Sequence, residues 1–137
     1  MTTANVEHIL AGKQLIAIIA RGTYNPPSTE FVTPSDTNFQ VGFIKYPADG
    51  SIQPHVHKPI ERHIVGTSEA LVVRTGKMEV SLYDWDRNLV AQRVLTSGDL
   101  LLLFGAGHGF RMLEDTVLLE VKQGPYSGLD EKERFEP

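Results

Sequence analysis

Hydrophobic and polar positions alternate along this chain in short runs, and no stretch of helical length and period occurs between about residues 39 and 122. Residues 14–19 read as a first strand, followed by the proline-rich connection Tyr24-Asn25-Pro26-Pro27. Residues 39–46 alternate aromatic and β-branched side chains up to the turn signal Pro47-Ala48-Asp49-Gly50. The pattern predicts further strands over 51–57, 69–75 (ended by Gly76) and 78–83, the last two as a hairpin. Asp84-Trp85-Asp86-Arg87-Asn88 turns the chain into a strand over 89–95, and Ser97-Gly98-Asp99 into one over 100–104. A glycine-rich corner around His108 precedes a last strand over 116–121. Regularly spaced short strands of this kind predict an all-β fold: a sandwich, a barrel or a jelly roll.

Composition narrows the picture. The chain has 137 residues, 41% of them hydrophobic and 22% charged, enough for one packed core and too few for two domains. We expect a single domain over 1–137, with a strand core at about 39–122, an N-terminal strand or arm over 1–38 and a polar tail over 123–137. The tail from Ser127, with the charged run 130–133, reads as solvated chain with at most one helical turn. A net charge of −4, from 13 basic and 17 acidic residues without a Lys/Arg cluster, speaks against nucleic-acid binding. Without cysteine there are no disulfides, thiolate metal ligands or cysteine nucleophiles. The longest apolar run near the start, residues 15–20, is far short of a membrane span and has no basic segment before it. The expectation is a cytoplasmic protein with no membrane partner.

The candidate chemistry lies in the histidines. His55 and His57 are two apart on an expected strand, so both imidazoles leave the same face and make half of a divalent-metal site. A half-buried strand with its polar face in water gives the same pattern, because Ser51 and Gln53 share that face while Ile52 and Val56 share the other. Glu69 opens a strand that ends at Gly76, and Gly98-Asp99 begins an apolar run that ends in Gly105-Ala106-Gly107-His108-Gly109-Phe110. Three imidazoles and one carboxylate suit Fe, Mn, Ni, Zn or Cu as a divalent ion, and the ligand types do not choose among them.

These residues resemble the paired motifs of the cupins, a superfamily of double-stranded β-helix, jelly-roll barrels. The first motif reads Gly50…His55-Val56-His57…Glu69…Gly76 and the second Gly98-Asp99…His108, together covering about residues 39–122. Two carboxylates compete for the first motif. Glu61 satisfies the spacing from the histidines and Glu69 the spacing to the glycine; Glu69 is favoured because the strand ending at Gly76 fixes its position. In the second motif Phe104 stands where the family usually has proline, and the corner before His108 is one residue shorter.

The resemblance implies a cupin-type double-stranded β-helix holding one divalent transition-metal ion through His55, His57, Glu69 and His108. It also implies action on a small oxygen-rich molecule (keto acid, diketone or sugar) by Lewis-acid or dioxygen chemistry. A second reading is a metal-independent sugar-nucleotide epimerase or ketoisomerase that uses histidine as acid and base. A third is a non-enzymatic module that binds a small molecule. A barrel of this size is expected to pair with a copy of itself, with residues 14–19 as the strand at that interface.

Other residues have plainer explanations beside functional ones. His63 reads as an exposed loop histidine or a group near the substrate. Arg62, Arg74 and Arg111 are candidates for gripping an anion, although Arg74 falls on the face opposite Glu69. Phe104, Phe110, Tyr83 and Trp85 fill a core or line a pocket. The glycines around His108 are followed by no Lys-Ser/Thr and no helix pattern, which excludes a phosphate loop, and neither Ser68 nor Ser97 sits in a nucleophile elbow.

Overall fold

The structure, a computed structural model, describes residues 5–126 and 128–137. The chain divides into two compact units, one made of the residues up to Tyr24 together with Thr67–Pro137, the other of Asn25–Gly66.

The larger unit holds two antiparallel sheets. Its strands are β1 (Val6–Ala11) and β2 (Gln14–Ala20), and, past the smaller unit's β3 (Glu30–Phe31) and β4 (Gly42–Phe43), β5 (Glu69–Thr75), β6 (Lys77–Tyr83), β7 (Leu89–Thr96), β8 (Leu100–Leu103), β9 (Gly107–Met112) and β10 (Val117–Lys122). Five form one sheet in the order β1-β2-β8-β5-β10, and three form the other in the order β7-β6-β9. The all-β class that the alternation predicts is therefore present, with every ladder antiparallel. The expected barrel is not closed among the described residues: the strands make separate sheets, and β9 and β10 are unpaired edges.

Strand alternation builds the core. Ala17 and Ile19 of β2, Leu71 and Val73 of β5, and Leu101 and Leu103 of β8 form one buried cluster with Met78, Val80 and Leu82 of β6 and Leu95 of β7. Side chains from the two sheets thus interdigitate as in a sandwich, and each fully buried Leu or Ile contributes about 1.5–3 kcal/mol. The β5–β6 connection depends on Gly76, at φ 97°. A Cβ there would strike the Asp115 carbonyl oxygen and come within 2.7 Å of the Thr116 backbone, so both backbone conformation and space demand glycine. At the β6–β7 turn the Asp84 carboxylate accepts from the backbone N–H groups of Asp86 and Asn88, at 2.9 and 2.8 Å.

Four expectations are corrected. β1, β3 and β9 are additional strands, β9 where only a glycine-rich corner around His108 is expected. The N-terminal strand does not offer an edge to a second copy, because β2 is hydrogen-bonded on both sides, to β1 and to β8. In the smaller unit the strands expected over 39–46 and 51–57 shrink to the two-residue β4 and to none. Pro47, Pro54 and Pro59 each remove a ladder donor there, and Ile52 and Val56, which the alternation places on a buried face, are exposed. The tail is not wholly solvated: Gly128–Glu131 form, as a 3₁₀ turn, the one helical turn the sequence allows, and Phe135 after it is half-buried as described below; Ser127 lies outside the described residues. No helix of the described residues is long and apolar enough to cross a membrane.

Candidate functional site

Glu69 is the first residue of β5 and shares the inward face of that strand with Leu71 and Val73. Its position is pinned from both sides. The Ser68 backbone N–H donates to Gln123 Oε1 at 2.8 Å and the Gln123 N–H to the Ser68 carbonyl at 3.2 Å, while Glu69 lies opposite Lys122 of β10. His108, on the facing sheet, is the second residue of β9 and pairs with Leu82, a core residue of β6. The corner before it is shaped by Gly105 and Ala106, both at positive φ. Inward-facing side chains from opposite sheets therefore meet at one end of the sandwich.

There His108 Nε2 lies 3.3 Å from Glu69 Oε2, with the glutamate side chain 11% exposed and the imidazole 31%. The imidazole stacks on Phe110, with ring centroids 5.4 Å apart and planes at 27°. The contact is close enough for an ion pair but lacks hydrogen-bond alignment, and Glu69 Oε2 is a buried oxygen with no hydrogen-bond partner among the described residues. The His108 imidazole beside it holds the Glu69 carboxyl below the usual carboxylate range against the opposing pull of burial, and Lys122 and Lys132 act in the same direction as the imidazole. Such a site offers one oxygen and one nitrogen donor, half-open to solvent.

His55 and His57 lie in the smaller unit, edge to face, with ring centroids 5.2 Å apart. His55 Nδ1 is 2.9 Å from the Gln53 carbonyl oxygen. Because a carbonyl only accepts, this contact makes Nδ1 the protonated nitrogen and leaves Nε2 of a neutral ring with its lone pair. Glu61, Arg62 and His63 are exposed in the same unit. Among the described residues no group of three or more His, Cys, Asp or Glu side chains forms a metal cluster. The structure therefore shows the four sequence candidates as two pairs, His55 with His57 and Glu69 with His108.

The aromatic candidates separate. Phe110 belongs to the Glu69–His108 site, Tyr83 packs edge to face on Phe135, and Trp85 lies over Gly105 beside an open cleft of about 360 Å³ lined also by Leu10, Gln14, Asp86 and Val90. Arg74 is exposed on the face opposite Glu69, as the alternation requires. Arg111 reaches Glu79 at 3.6 Å on the outside of the three-stranded sheet. Sequence reasoning missed Gln123, Lys122 and Phe135, since nothing in a linear pattern tells which polar residue will brace a strand end. No protein-family model matches the chain, and no curated protein and no solved structure matches it either.

Proposed function

We propose that the protein is a cupin-type protein that binds a divalent transition-metal ion and acts on a small oxygen-rich molecule. The observation that carries this reading is the buried Glu69 Oε2, which has no hydrogen-bond partner among the described residues and faces an imidazole nitrogen from the opposite sheet. Burying a carboxylate oxygen without a donor is costly, and a cation is the species that satisfies it best. A carboxylate oxygen and an imidazole nitrogen fit Fe, Mn, Ni, Zn or Cu. The donor set implied by the cupin resemblance is His55, His57, Glu69 and His108, and the bound ion supplies Lewis acidity or a redox centre. The chain's own part is to hold the Glu69 carboxylate ionised, to fix the His108 ring on Phe110 and to place both at a half-open sandwich end.

Metal content of the purified protein tests this. The expected result is about one equivalent of a transition metal, lost in Glu69→Gln and in His108→Ala, with His57→Ala reporting on the second pair. Protein that carries no metal and takes up none of these ions when offered them would overturn it.

The same geometry favours one other reading. An imidazole backed by a carboxylate and reached by solvent is the arrangement of a general acid–base group, which suits proton transfer beside a carbonyl, as in a sugar-nucleotide ketoisomerase. Under this reading His108 moves the proton and Glu69 orients the ring. Activity on a keto sugar that survives exhaustive chelation separates it from the metal reading.

A further inference from the structure

Near its C-terminal end the chain is highly charged, Glu131-Lys132-Glu133-Arg134, and this run is followed by the aromatic Phe135, then Glu136 and Pro137. A solvated tail has no use for a buried aromatic, yet Phe135 is half-buried and stands edge to face against Tyr83, with ring centroids 5.1 Å apart. The Arg87 guanidinium lies 5.2 Å from the centre of the same ring, and its Nη2 pairs with Glu133 at 2.6 Å. Phe135 is also packed so closely on β9 that a Cβ on Gly107 would stand 3.0 Å from its ring. At the other end of this segment Glu131 reaches Lys122 Nζ at 3.8 Å.

The register shows what these anchors flank. Lys122 is the cross-strand neighbour of Glu69 on β10. Gly107 and Tyr83 are paired, one step along the β6–β9 ladder from the pair Leu82 and His108. One anchor thus sits beside Glu69 on the inward face of the five-stranded sheet, and the other is next to His108 along β9 but, by strand alternation, on the outward face of the three-stranded sheet. The chain between them crosses from one sheet to the other at the end of the sandwich where Glu69 and His108 meet. Between the anchors stands Lys132, whose charge acts on the Glu69 carboxyl.

We propose that residues 131–135 are a releasable strap across the Glu69–His108 site, anchored by Glu131 on Lys122 and by Phe135 between Tyr83, Arg87 and Gly107. The inference rests on reading Glu69–His108 as the functional site, but the strap is defined by contacts of its own. The fastening is light. The Arg87–Glu133 pair is largely exposed and screened by water, and the Lys122–Glu131 pair is long, so the single aromatic anchor carries most of the hold. Segments with so few buried contacts open far more often than the core beneath them. With the strap docked the imidazole is 31% exposed; lifting the strap opens it further to a small molecule, and docking limits that access.

Acylation of histidine by diethyl pyrocarbonate, followed residue by residue with peptide mapping, tests this on the full chain, alongside limited trypsin cleavage after Lys132 and Arg134. Phe135→Ala and, independently, Arg87→Ala remove the anchor without touching Glu69 or His108. Each should raise cleavage in the tail and speed acylation of His108 about fivefold or more, with the rate at exposed His63 unchanged. Faster tail cleavage with an unchanged His108 rate would overturn the gating, and unchanged cleavage in both variants would overturn the strap itself. Tail cleavage involves neither metal content nor turnover, and acylation is compared at equal metal content because a bound ion would itself protect His108, so failure of the metal reading and failure of the strap are seen separately.

Discussion

The Asp99 carboxylate is 5% exposed and accepts four contacts: the Gly22 backbone N–H at 2.8 Å on one oxygen, and the Thr96 N–H at 2.8 Å, Arg21 Nη1 at 3.1 Å and the Thr96 hydroxyl at 3.4 Å on the other. The sequence marks this residue only as part of a turn and of the Gly98-Asp99 motif. In the fold it ties the end of β2 to the turn between β7 and β8, where Gly22 is packed so tightly that a Cβ would lie 2.7 Å from the Gly98 carbonyl carbon. Truncating it strands several donors in a place water reaches poorly, so Asp99→Ala should lose about 3 kcal/mol in urea unfolding, with Asp99→Asn losing less because it keeps one acceptor. A loss below about 1 kcal/mol would show that solvent replaces these bonds. Metal content should be unchanged, because Asp99 is a brace and Glu69 and His108 are not among its partners. For candidate ligands the residue types were legible and their neighbours were not. Glu69 and His108 stand out by motif, but Gln123, which fixes the start of β5, comes from more than fifty residues away and has no pattern of its own.

Among the elements, the edge strands β1 and β7 belong to different sheets and are joined by a fork of ion-paired hydrogen bonds. Arg93 Nε donates to Glu7 Oε1 at 2.9 Å and Nη2 to Glu7 Oε2 at 2.6 Å. The Arg93 donors hold the Glu7 carboxyl below its ordinary value of 4.5, outweighing the burial that pushes it up, and Arg21 adds to the effect. A carboxyl whose pKa is depressed by folding stabilises the fold fully above its unfolded value and loses that contribution as pH falls through the lower folded value. Glu7→Gln should therefore cost about 1 kcal/mol at neutral pH, the size expected for a partly exposed bidentate pair. Its stability should fall less steeply than wild type below pH 4.5, and the two proteins should converge in acid. Parallel stability curves across that range would show that the fork contributes nothing. The elements themselves divide by what stabilises them. β5 to β8 and β10 are legible almost residue for residue, from apolar runs bounded by glycine or Asx turns, whereas β9 forms where the sequence reads only as a glycine-rich corner. β1 is harder to read, since Glu7 and His8 interrupt its apolar positions and its pairing with β2 decides its state. The run over 51–57 has a strand's alternation but not its ladder, since alternation predicts a strand only where a partner edge exists to bond it.

At the scale of the molecule, the open question is what lies against β10. It is the last strand of its sheet, so one row of its backbone groups has no strand beside it. Its Leu118 turns inward to the core, while Leu119 and Val121 point outward and are 47% and 58% exposed. They stand in register with Val72 and Ala70 of β5, which in turn pair with Leu100 and Leu102 of β8; this face is apolar throughout but open only at its β10 margin, since Leu102 is fully buried. An open edge beside an apolar face is a combination that single-chain proteins usually blunt with charge or proline, and β10 offers neither at these two positions. The homodimer expected for a fold of this size would therefore form through β10 and not through β2, whose edges are both occupied. Two antiparallel copies of β10 about a twofold axis would extend one sheet into the other and cover Leu119 and Val121 of both copies with the same surface. Light scattering should give twice the 15.2 kDa of one chain. The double variant Leu119→Glu, Val121→Glu should fall to a single chain mass with its strand circular dichroism intact, since neither side chain belongs to the core. A wild-type protein that already runs at one chain mass ends the dimer reading. A variant that stays dimeric moves the interface off β10.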